Sequence, residues 1–189
     1  MRENPCEGVR GIAAKTEGYH VWTDVEIARF EARWPIGTRE RLAFAVLLFT
    51  GLRRGDAANL GGRHIQGGVI SIRTGKTGQI VIIPLLPDLQ KILAASPLGR
   101  TTFIANLDGS PMRGETFSHW FRLACNAAGC PGSAHGLRKA GATRMANAGA
   151  TEAELEACFG WRGGQMASLY TRNANRVKLA RGAMGKLLK

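Results

Sequence analysis

The sequence predicts an α+β fold that is mainly α-helical and contains one small three-stranded antiparallel sheet. Two observations predict it. Helix-starting patterns recur along most of the chain, among them two capping boxes, Thr23 with Glu26 and Thr151 with Glu154. Between them, residues 64–84 change to alternating apolar and polar side chains, interrupted by two turns that contain glycine. With 189 residues, 44% of them hydrophobic and 21% charged, the chain can bury a core without disulfides.

The elements of the first half follow from caps, breaks and periodicity. The first capping box predicts a helix from Thr23 to about Trp34, which Pro35 interrupts. Thr38 can cap a second helix, which Gly51 ends. The apolar face of this second helix consists of Leu42, Ala45, Val46 and Phe49. A short helix is predicted at about 54–60, and strands at 64–66, 69–73 and 79–84.

Prolines and glycines divide the second half into helices. Pro87 opens a helix to about Ala95, and residues 96–113 form a loop. Helices follow at about 115–128, 137–148 and 151–159, with a break over 129–136 between the first two. A helix that contains Tyr170 and a basic tail helix end the chain. We expect residues 1–20 to be a linker or the remnant of a preceding domain, and residues 21–189 to form one domain.

The charge of the chain indicates a polyanionic partner. The net charge is +12, and residues 41–189 alone carry 20 basic and seven acidic side chains. We therefore expect nucleic acid ahead of an acidic membrane surface, the alternative being a basic surface that serves only solubility. The longest apolar run, from Leu42 to Phe49, is too short to span a bilayer, and the N-terminus lacks a signal-peptide pattern. We expect a cytoplasmic protein without membrane contact.

The sequence contains no recognisable metal or nucleotide motif. The cysteines, at positions 6, 125, 130 and 158, follow no zinc-binding spacing, and no carboxylates are paired for magnesium. Lys76 lies in a Gly-Lys-Thr sequence, but Ile70 occupies the position of the earlier P-loop glycine, and a strand follows. We expect no metal and no cofactor.

Polar residues at the breaks between elements suggest phosphate chemistry. Arg53 follows a Thr-Gly-Leu turn, Lys76 lies at a hairpin tip, and His135 and Arg138 are one helical turn apart. Two arginines and a lysine suit a phosphate that gains charge in its transition state, and a histidine suits proton transfer. Tyr170, nine residues after Trp161, can be a nucleophile if nearby groups activate it.

In this order and spacing the chain resembles the tyrosine recombinases, or phage-type integrases. The resemblance rests on the Thr-Gly-Leu-Arg motif ending at Arg53, on Lys76, on the His-Gly-Leu-Arg motif from His135 to Arg138, and on Phe-Gly-Trp161 followed by Tyr170. It covers about residues 21–189 and implies the catalytic domain of that family, with its DNA breaking-rejoining fold.

The resemblance implies a role for each matching residue. Arg53 and Arg138 would bind the non-bridging oxygens of the scissile phosphate. Tyr170 would attack the phosphorus to give a 3′-phosphotyrosyl link, with His135 moving the tyrosine proton. Lys76 would protonate the departing 5′ oxygen. Asp56 would orient these residues without contacting the phosphate itself. Trp161 stands where most members have a second histidine, and its indole N–H can still donate a hydrogen bond.

The resemblance also implies partners. We expect double-stranded DNA, a homo-oligomer on DNA (dimer or tetramer at synapsis), and accessory DNA-bending proteins in some reactions. The apolar side of the tail helix would dock on a neighbouring protomer. Candidate DNA contacts are Arg54, Arg73, Lys139, Arg162 and Arg172.

One departure and three alternatives accompany this interpretation. Family members usually carry a helical DNA-clamping domain before the catalytic one, whereas about 20 residues precede it here. We therefore expect either a truncated chain or a shortened protein that binds DNA weakly alone. The alternatives are a type IB topoisomerase, a non-catalytic DNA-binding module derived from an integrase, and a phosphoryl-transfer enzyme for small substrates.

Overall fold

Threonine caps begin the three helices for which the sequence predicts them, at Thr23, Thr38 and Thr151. The computed structural model describes residues 18–172, 174, 176–185 and 187. Both capping boxes are confirmed: the hydroxyls of Thr23 and Thr151 accept from the backbone N–H of Glu26 and Glu154, whose carboxylates accept in return. The helices are α1 (Asp24–Arg33), α2 (Arg39–Thr50), α3 (Arg54–Asn59), α4 (Pro87–Ala95), α5 (Gly114–Ala127), α6 (Ala134–Ala148), α7 (Glu152–Phe159), α8 (Gln165–Arg172) and α9 (Arg176–Gly185).

The sheet is the predicted three-stranded antiparallel meander. Its strands β1 (Ile65–Gln66), β2 (Val69–Arg73) and β3 (Ile80–Pro84) pair in chain order. Alternation buries Ile70 and Ile72 of β2 and their neighbours on β3, and exposes the other face. The first strand is shorter than predicted, because His64 ends a 3-10 helix (Gly62–His64) and its Nδ1 accepts from the N–H of Gly61.

Helix α2 lies at the centre of the larger core. It packs against α3, α4, α5 and α6. The predicted face is buried at Leu42, Ala45 and Val46, and burial extends beyond it to Ala43, Phe44, Leu47 and Leu48, because neighbouring helices surround this part of α2. Phe44 is fully buried, stacked on Phe30 at 4.6 Å between ring centroids and edge-on to Trp22 at 5.5 Å.

Helix α6 begins three residues before its predicted start. The hydroxyl of Ser133 accepts from the N–H of Gly136, so Ser133 is the cap and Gly136 lies in the first turn. A Cβ on Gly136 would lie 2.2 Å from the carbonyl oxygen of His20. The glycine is therefore required by the close approach of the preceding chain and does not mark a break.

A second, smaller core joins the helices that follow. Ala142 of α6, Leu155 and Phe159 of α7, and Ala167 of α8 are buried together, and Leu179 of α9 packs against them. The tail helix therefore docks partly on its own chain. Apolar tail residues with exposed side chains include Val177, Ala183 and Leu187, whereas Leu188 lies outside the described residues.

The cysteines are free where the structure describes them. Cys125 and Cys130 are buried and Cys158 is half-buried, whereas Cys6 lies outside the described residues. Burial raises the pKa of Cys125 to about 12, so this thiol stays protonated. Within the described ranges, no group of three or more His, Cys, Asp or Glu side chains could hold a metal ion, and no helix is long and apolar enough to cross a membrane.

The ring cluster around Phe44 gives a stability prediction. Phe44→Ala should lower the free energy of unfolding by ~3–5 kcal/mol, because it leaves a cavity between Phe30 and Trp22. Leu107→Ala, at a side chain that is 89% exposed, is the control and should change it by less than about 0.5 kcal/mol. Chemical denaturation measures both. Equal effects of the two substitutions would contradict this assignment of the core.

Candidate active site

Arg138 is a buried arginine fixed by two backbone carbonyls. Its Nη1 donates to the carbonyl of Gly51 and its Nη2 to that of Phe159 at 2.8 Å. The guanidinium also lies over the rings of Phe159 and Trp161, at 5.0 and 5.4 Å from their centroids. Burial, together with nearby Arg53, lowers its pKa to about 10, so it remains charged at neutral pH. Arg138 therefore joins the end of α2 to the end of α7.

Arg53 has a buried donor without an acceptor. It is the residue before α3, and Gly51, in the left-handed region with φ of 59°, turns the chain into this position. Among the described residues, Nη1 of Arg53 finds no hydrogen-bond partner. A buried guanidinium N–H left unpaired is costly, and an anion in front of it would satisfy it.

Asp56 connects the hairpin that carries Lys76 to α3. The β2–β3 turn is closed by backbone hydrogen bonds between Thr74 and both Gly78 and Gln79, and Lys76 is exposed at its tip. The buried carboxylate of Asp56 accepts from the N–H of Gly75 at 2.8 Å. This bond fixes the turn relative to α3 and thus the backbone of Lys76 relative to that of Arg53.

His135 lies in the first turn of α6 and faces several cations. Partial burial lowers its pKa, and the charges of Arg138, Lys139, Arg53 and Lys76 lower it further. The imidazole is therefore neutral at pH 7 and can accept a proton. Arg53 before α3, Lys76 of the hairpin and His135 of α6 line one cleft, so three separate segments bring these groups together.

Tyr170 belongs to a stack of aromatic rings. Its ring is parallel to that of Trp161, at 5.3 Å between centroids and 4° between planes, and Trp161 in turn stacks on Phe159 at 4.7 Å. Burial raises the pKa of Tyr170, and the charge of Arg138 partly opposes this. Tyr170 is half-buried, so its phenol is protonated at neutral pH and needs a base to become a nucleophile.

A polar cleft of about 520 Å³ lies beside Arg53, Lys76 and His135, whereas Arg138, Trp161 and Tyr170 are not among its lining residues. Four cations and an imidazole line it together with aromatic and hydroxyl groups, and the N-terminus of the 15-residue helix α6 opens at its wall. Both features favour a bound anion. The lining residues are Tyr19, Arg53, Arg54, Lys76, Ser118, Phe121, Arg122, Ser133, Ala134 and His135.

The remaining predicted DNA contacts lie in different surroundings. Arg54 lines the cleft and donates to the hydroxyl of Ser118. Arg73 donates to the carbonyl of Gly78 at 2.9 Å and so braces the hairpin, whereas Lys139 donates to the carbonyl of Tyr19 at 2.8 Å. Exposed side chains include Arg162, after α7, and Arg172, which contacts Ser168 of its own helix at 3.2 Å.

Sequence reasoning missed six of the lining residues, among them Ser118, Arg122 and Tyr19. Ser118 and Arg122 are four residues apart on α5, so they share a helix face, and this spacing was the available signal. Tyr19 comes from the segment before α1, and its ring lies 4.5 Å from that of His135. No periodicity identifies Tyr19, because it lies outside any regular element.

The arrangement is suited to chemistry on a phosphate diester. Arg53 offers a free buried donor and Arg138 a fixed charge for an anion. His135 can take a proton, Tyr170 can attack, and Lys76 can supply a proton to a leaving oxygen. Arg53 comes from the residue before α3, Lys76 from the hairpin, His135 and Arg138 from α6, and Tyr170 from α8.

Comparisons with known proteins agree with this interpretation. The family model described as the phage integrase family matches residues 25–176. Lambda integrase (residues 75–356) bound to DNA is similar to this chain with a TM-score of 0.70 and 26% identity, over 87% of this chain and 64% of that one. A lambda integrase (75–356) dimer bound to a COC′ core site gives a TM-score of 0.69 and 25% identity, over 82% and 62% of the two chains.

Another integrase shows the same fold. The Tn1549 transposon integrase in complex with a circular intermediate DNA superposes with a TM-score of 0.72 at 20% identity, over 93% of this chain and 68% of that one. A comparison with curated protein sequences finds no match. The chain covers less than two thirds of the two lambda integrase chains.

The bond between Asp56 and Gly75 gives a prediction for the hairpin. Asp56→Ala should leave the Gly75 N–H unpaired and speed exchange of the amides of Gly75 and Gly78, at a cost of about 1–3 kcal/mol in the free energy of unfolding. Asp56→Asn, which keeps an acceptor oxygen, is the matched control and should lose much less. Hydrogen exchange and denaturation measure the two effects. Unchanged Gly75 exchange in Asp56→Ala would show that the bond does not restrain the turn.

Proposed function

This chain belongs to the phage integrase family, and from that premise we propose that it is a site-specific DNA recombinase that cleaves and rejoins strands through a 3′-phosphotyrosyl intermediate. The observation that carries the proposal is the buried Nη1 of Arg53, which has no hydrogen-bond partner in the described part of the chain, beside a cleft that also contains Lys76 and His135. A scissile phosphate would supply the missing acceptor. The similarity to lambda integrases bound to DNA supports the same substrate.

The two arginines would bind the non-bridging oxygens of the phosphate. Arg138 is already oriented by the carbonyls of Gly51 and Phe159, so little rearrangement is needed when an anion arrives. Arg53 would contribute its free Nη1. Charge that develops on the phosphorane oxygens would then be stabilised by preorganised cations, and no metal is needed for that step.

Tyr170 would attack the phosphorus and His135 would take its proton. The pKa of the tyrosine is raised and that of the histidine is lowered, so at pH 7 both are neutral. Transfer of the phenolic proton to the imidazole gives the phenolate that forms the bond to phosphorus. As the P–O5′ bond breaks, Lys76 would donate a proton to the leaving oxygen.

The reverse reaction rejoins the strand. The new 5′-hydroxyl would attack the phosphotyrosine and give its proton to Lys76, while the P–O bond to Tyr170 breaks and the phenolate takes its proton back from His135. The covalent link retains the energy of the phosphodiester, so neither ATP nor any other energy source is consumed. Trp161 would stack against Tyr170 and could donate its indole N–H to the phosphate, and Asp56 would keep Lys76 in position through Gly75.

The partners follow from the substrate and from the relatives. Double-stranded DNA would lie across the cleft, with Arg54, Arg73, Lys139, Arg162 and Arg172 as contacts to its backbone. Solved lambda integrases include a dimer on a core site and a tetramer on a Holliday junction, and these support a homo-oligomer on DNA. Accessory DNA-bending proteins and a cytoplasmic location near the DNA belong to the same proposal. Residues 21–189 would be the catalytic domain and its tail.

The other activities have less support. The family model and the integrase structures favour the recombinase and give no support to a type IB topoisomerase or a non-catalytic DNA-binding module. The excess of basic residues over 41–189 also disfavours a small phosphorylated substrate.

The nucleophile can be identified with a suicide substrate. On a duplex nicked beside the cleavage point, the protein should form a denaturation-resistant covalent DNA adduct in EDTA, because resealing is prevented and no metal is required. Tyr170→Phe keeps the ring stack but lacks the hydroxyl, so it should bind DNA normally and give no adduct. Gel electrophoresis after denaturation measures this, and adducts from Tyr170→Phe would exclude Tyr170 as the nucleophile.

The role of Lys76 can be tested with the leaving group. Lys76→Ala should slow cleavage of an ordinary duplex by about 10²–10⁴-fold, as expected for loss of a general acid. A 5′-thio leaving group needs no proton, so the same variant should cleave that substrate nearly as fast as the wild type. Single-turnover rates on the two substrates give the comparison. An equal loss on both would show that Lys76 contributes something other than the proton.

A further inference from the structure

We propose that Tyr19 is a positioning residue for the reaction, which acts by keeping the imidazole of His135 turned into the cleft. The proposal rests on the recombinase function proposed above. Tyr19 precedes the part of the chain that the family model matches, and neither the motifs nor the comparisons point to it.

The contact between the two rings is direct. Their centroids lie 4.5 Å apart, and the ring planes are inclined by 47°. Both residues line the same cleft. Because His135 is in the first turn of α6, with exposed space around it, its own helix leaves the imidazole free to rotate, and the Tyr19 ring is the packing partner that restricts this rotation.

The backbone that carries Tyr19 is itself anchored to α6. We call residues 18–22 the strap. The ammonium group of Lys139 donates to the Tyr19 carbonyl at 2.8 Å, and the indole N–H of Trp22 donates to the Ser133 carbonyl at 3.0 Å. Gly136 allows the strap to approach, since any Cβ there would meet the His20 carbonyl. The strap therefore contacts both the cap and the second turn of the helix that carries His135.

The Tyr19 ring also sets the environment of the imidazole. The groups around His135 are Arg53 before α3, Lys76 of the hairpin, Arg138 and Lys139 of α6, and Tyr19 of the strap. The cations disfavour the imidazolium, and the ring excludes water from one side of it. Removing the ring should let water hydrate the imidazole and let it rotate out of the cleft.

A double-mutant cycle separates this role from a merely structural one. Single-turnover cleavage of the nicked duplex is measured at saturating protein for Tyr19→Ala and Tyr19→Phe, each in the wild-type and in the His135→Ala background. Tyr19→Ala should slow the wild type about tenfold, and Tyr19→Phe, which keeps the ring, less than about twofold. In the His135→Ala background, Tyr19→Ala should change the rate by less than about twofold, because the group it positions is gone.

An NMR titration of His135 gives a readout that does not depend on activity. The pKa of His135 should rise toward its ordinary value in Tyr19→Ala and stay unchanged in Tyr19→Phe. If Tyr19→Ala slows cleavage equally in both backgrounds, or in neither, the positioning role of Tyr19 is refuted. A covalent adduct formed by the wild type would still support the recombinase function in that case. If the wild type forms no adduct, the recombinase function is refuted. In that case an unchanged pKa of His135 in Tyr19→Ala would also refute the effect of the Tyr19 ring on the imidazole.

Discussion

The site depends on the position of one buried charge. The guanidinium of Arg138 is bonded to the carbonyl ends of α2 and α7 and lies over two rings of the second core. Burying a cation without a compensating partner is energetically unfavourable. The two carbonyl oxygens and the two ring faces offset part of that free-energy cost. Arg53, whose charge is near enough to lower the pKa of Arg138, lines the cleft and adds a second positive charge there. Folding thereby creates an affinity for an anion before any substrate is present.

The local structure could be predicted because short-range chemistry decides it. Thr23 and Thr151 with their glutamates begin helices in any tertiary context, and the alternation of β2 and β3 leaves a single way to bury Ile70 and Ile83. The candidate site residues were predicted from their positions at turns and from the spacing of the motifs. Arg53, Lys76 and His135 indeed line one cleft, although each lies in a separate part of the sequence.

What could not be predicted depends on contacts between distant segments. Helix α2 shows no one-sided pattern because several elements surround it, and the start of α6 depends on Ser133 and on a glycine that looked like a break. Asp56 accepting from Gly75 and Tyr19 packing on His135 join residues 19 and 116 positions apart. No local rule gives the partner in such pairs, since the three-dimensional path of the chain brings them together.

The parallel stack of Trp161 on Tyr170 has a consequence for the entropy of the proposed attack. A ring pair of this kind contributes about 0.5–1.5 kcal/mol beyond the burial of its apolar area, so Trp161 restrains the direction of the Tyr170 phenol before any phosphate is bound. A nucleophile that is already restrained loses less conformational freedom on reaching the phosphorus, so folding would meet part of the ordering cost of the proposed reaction.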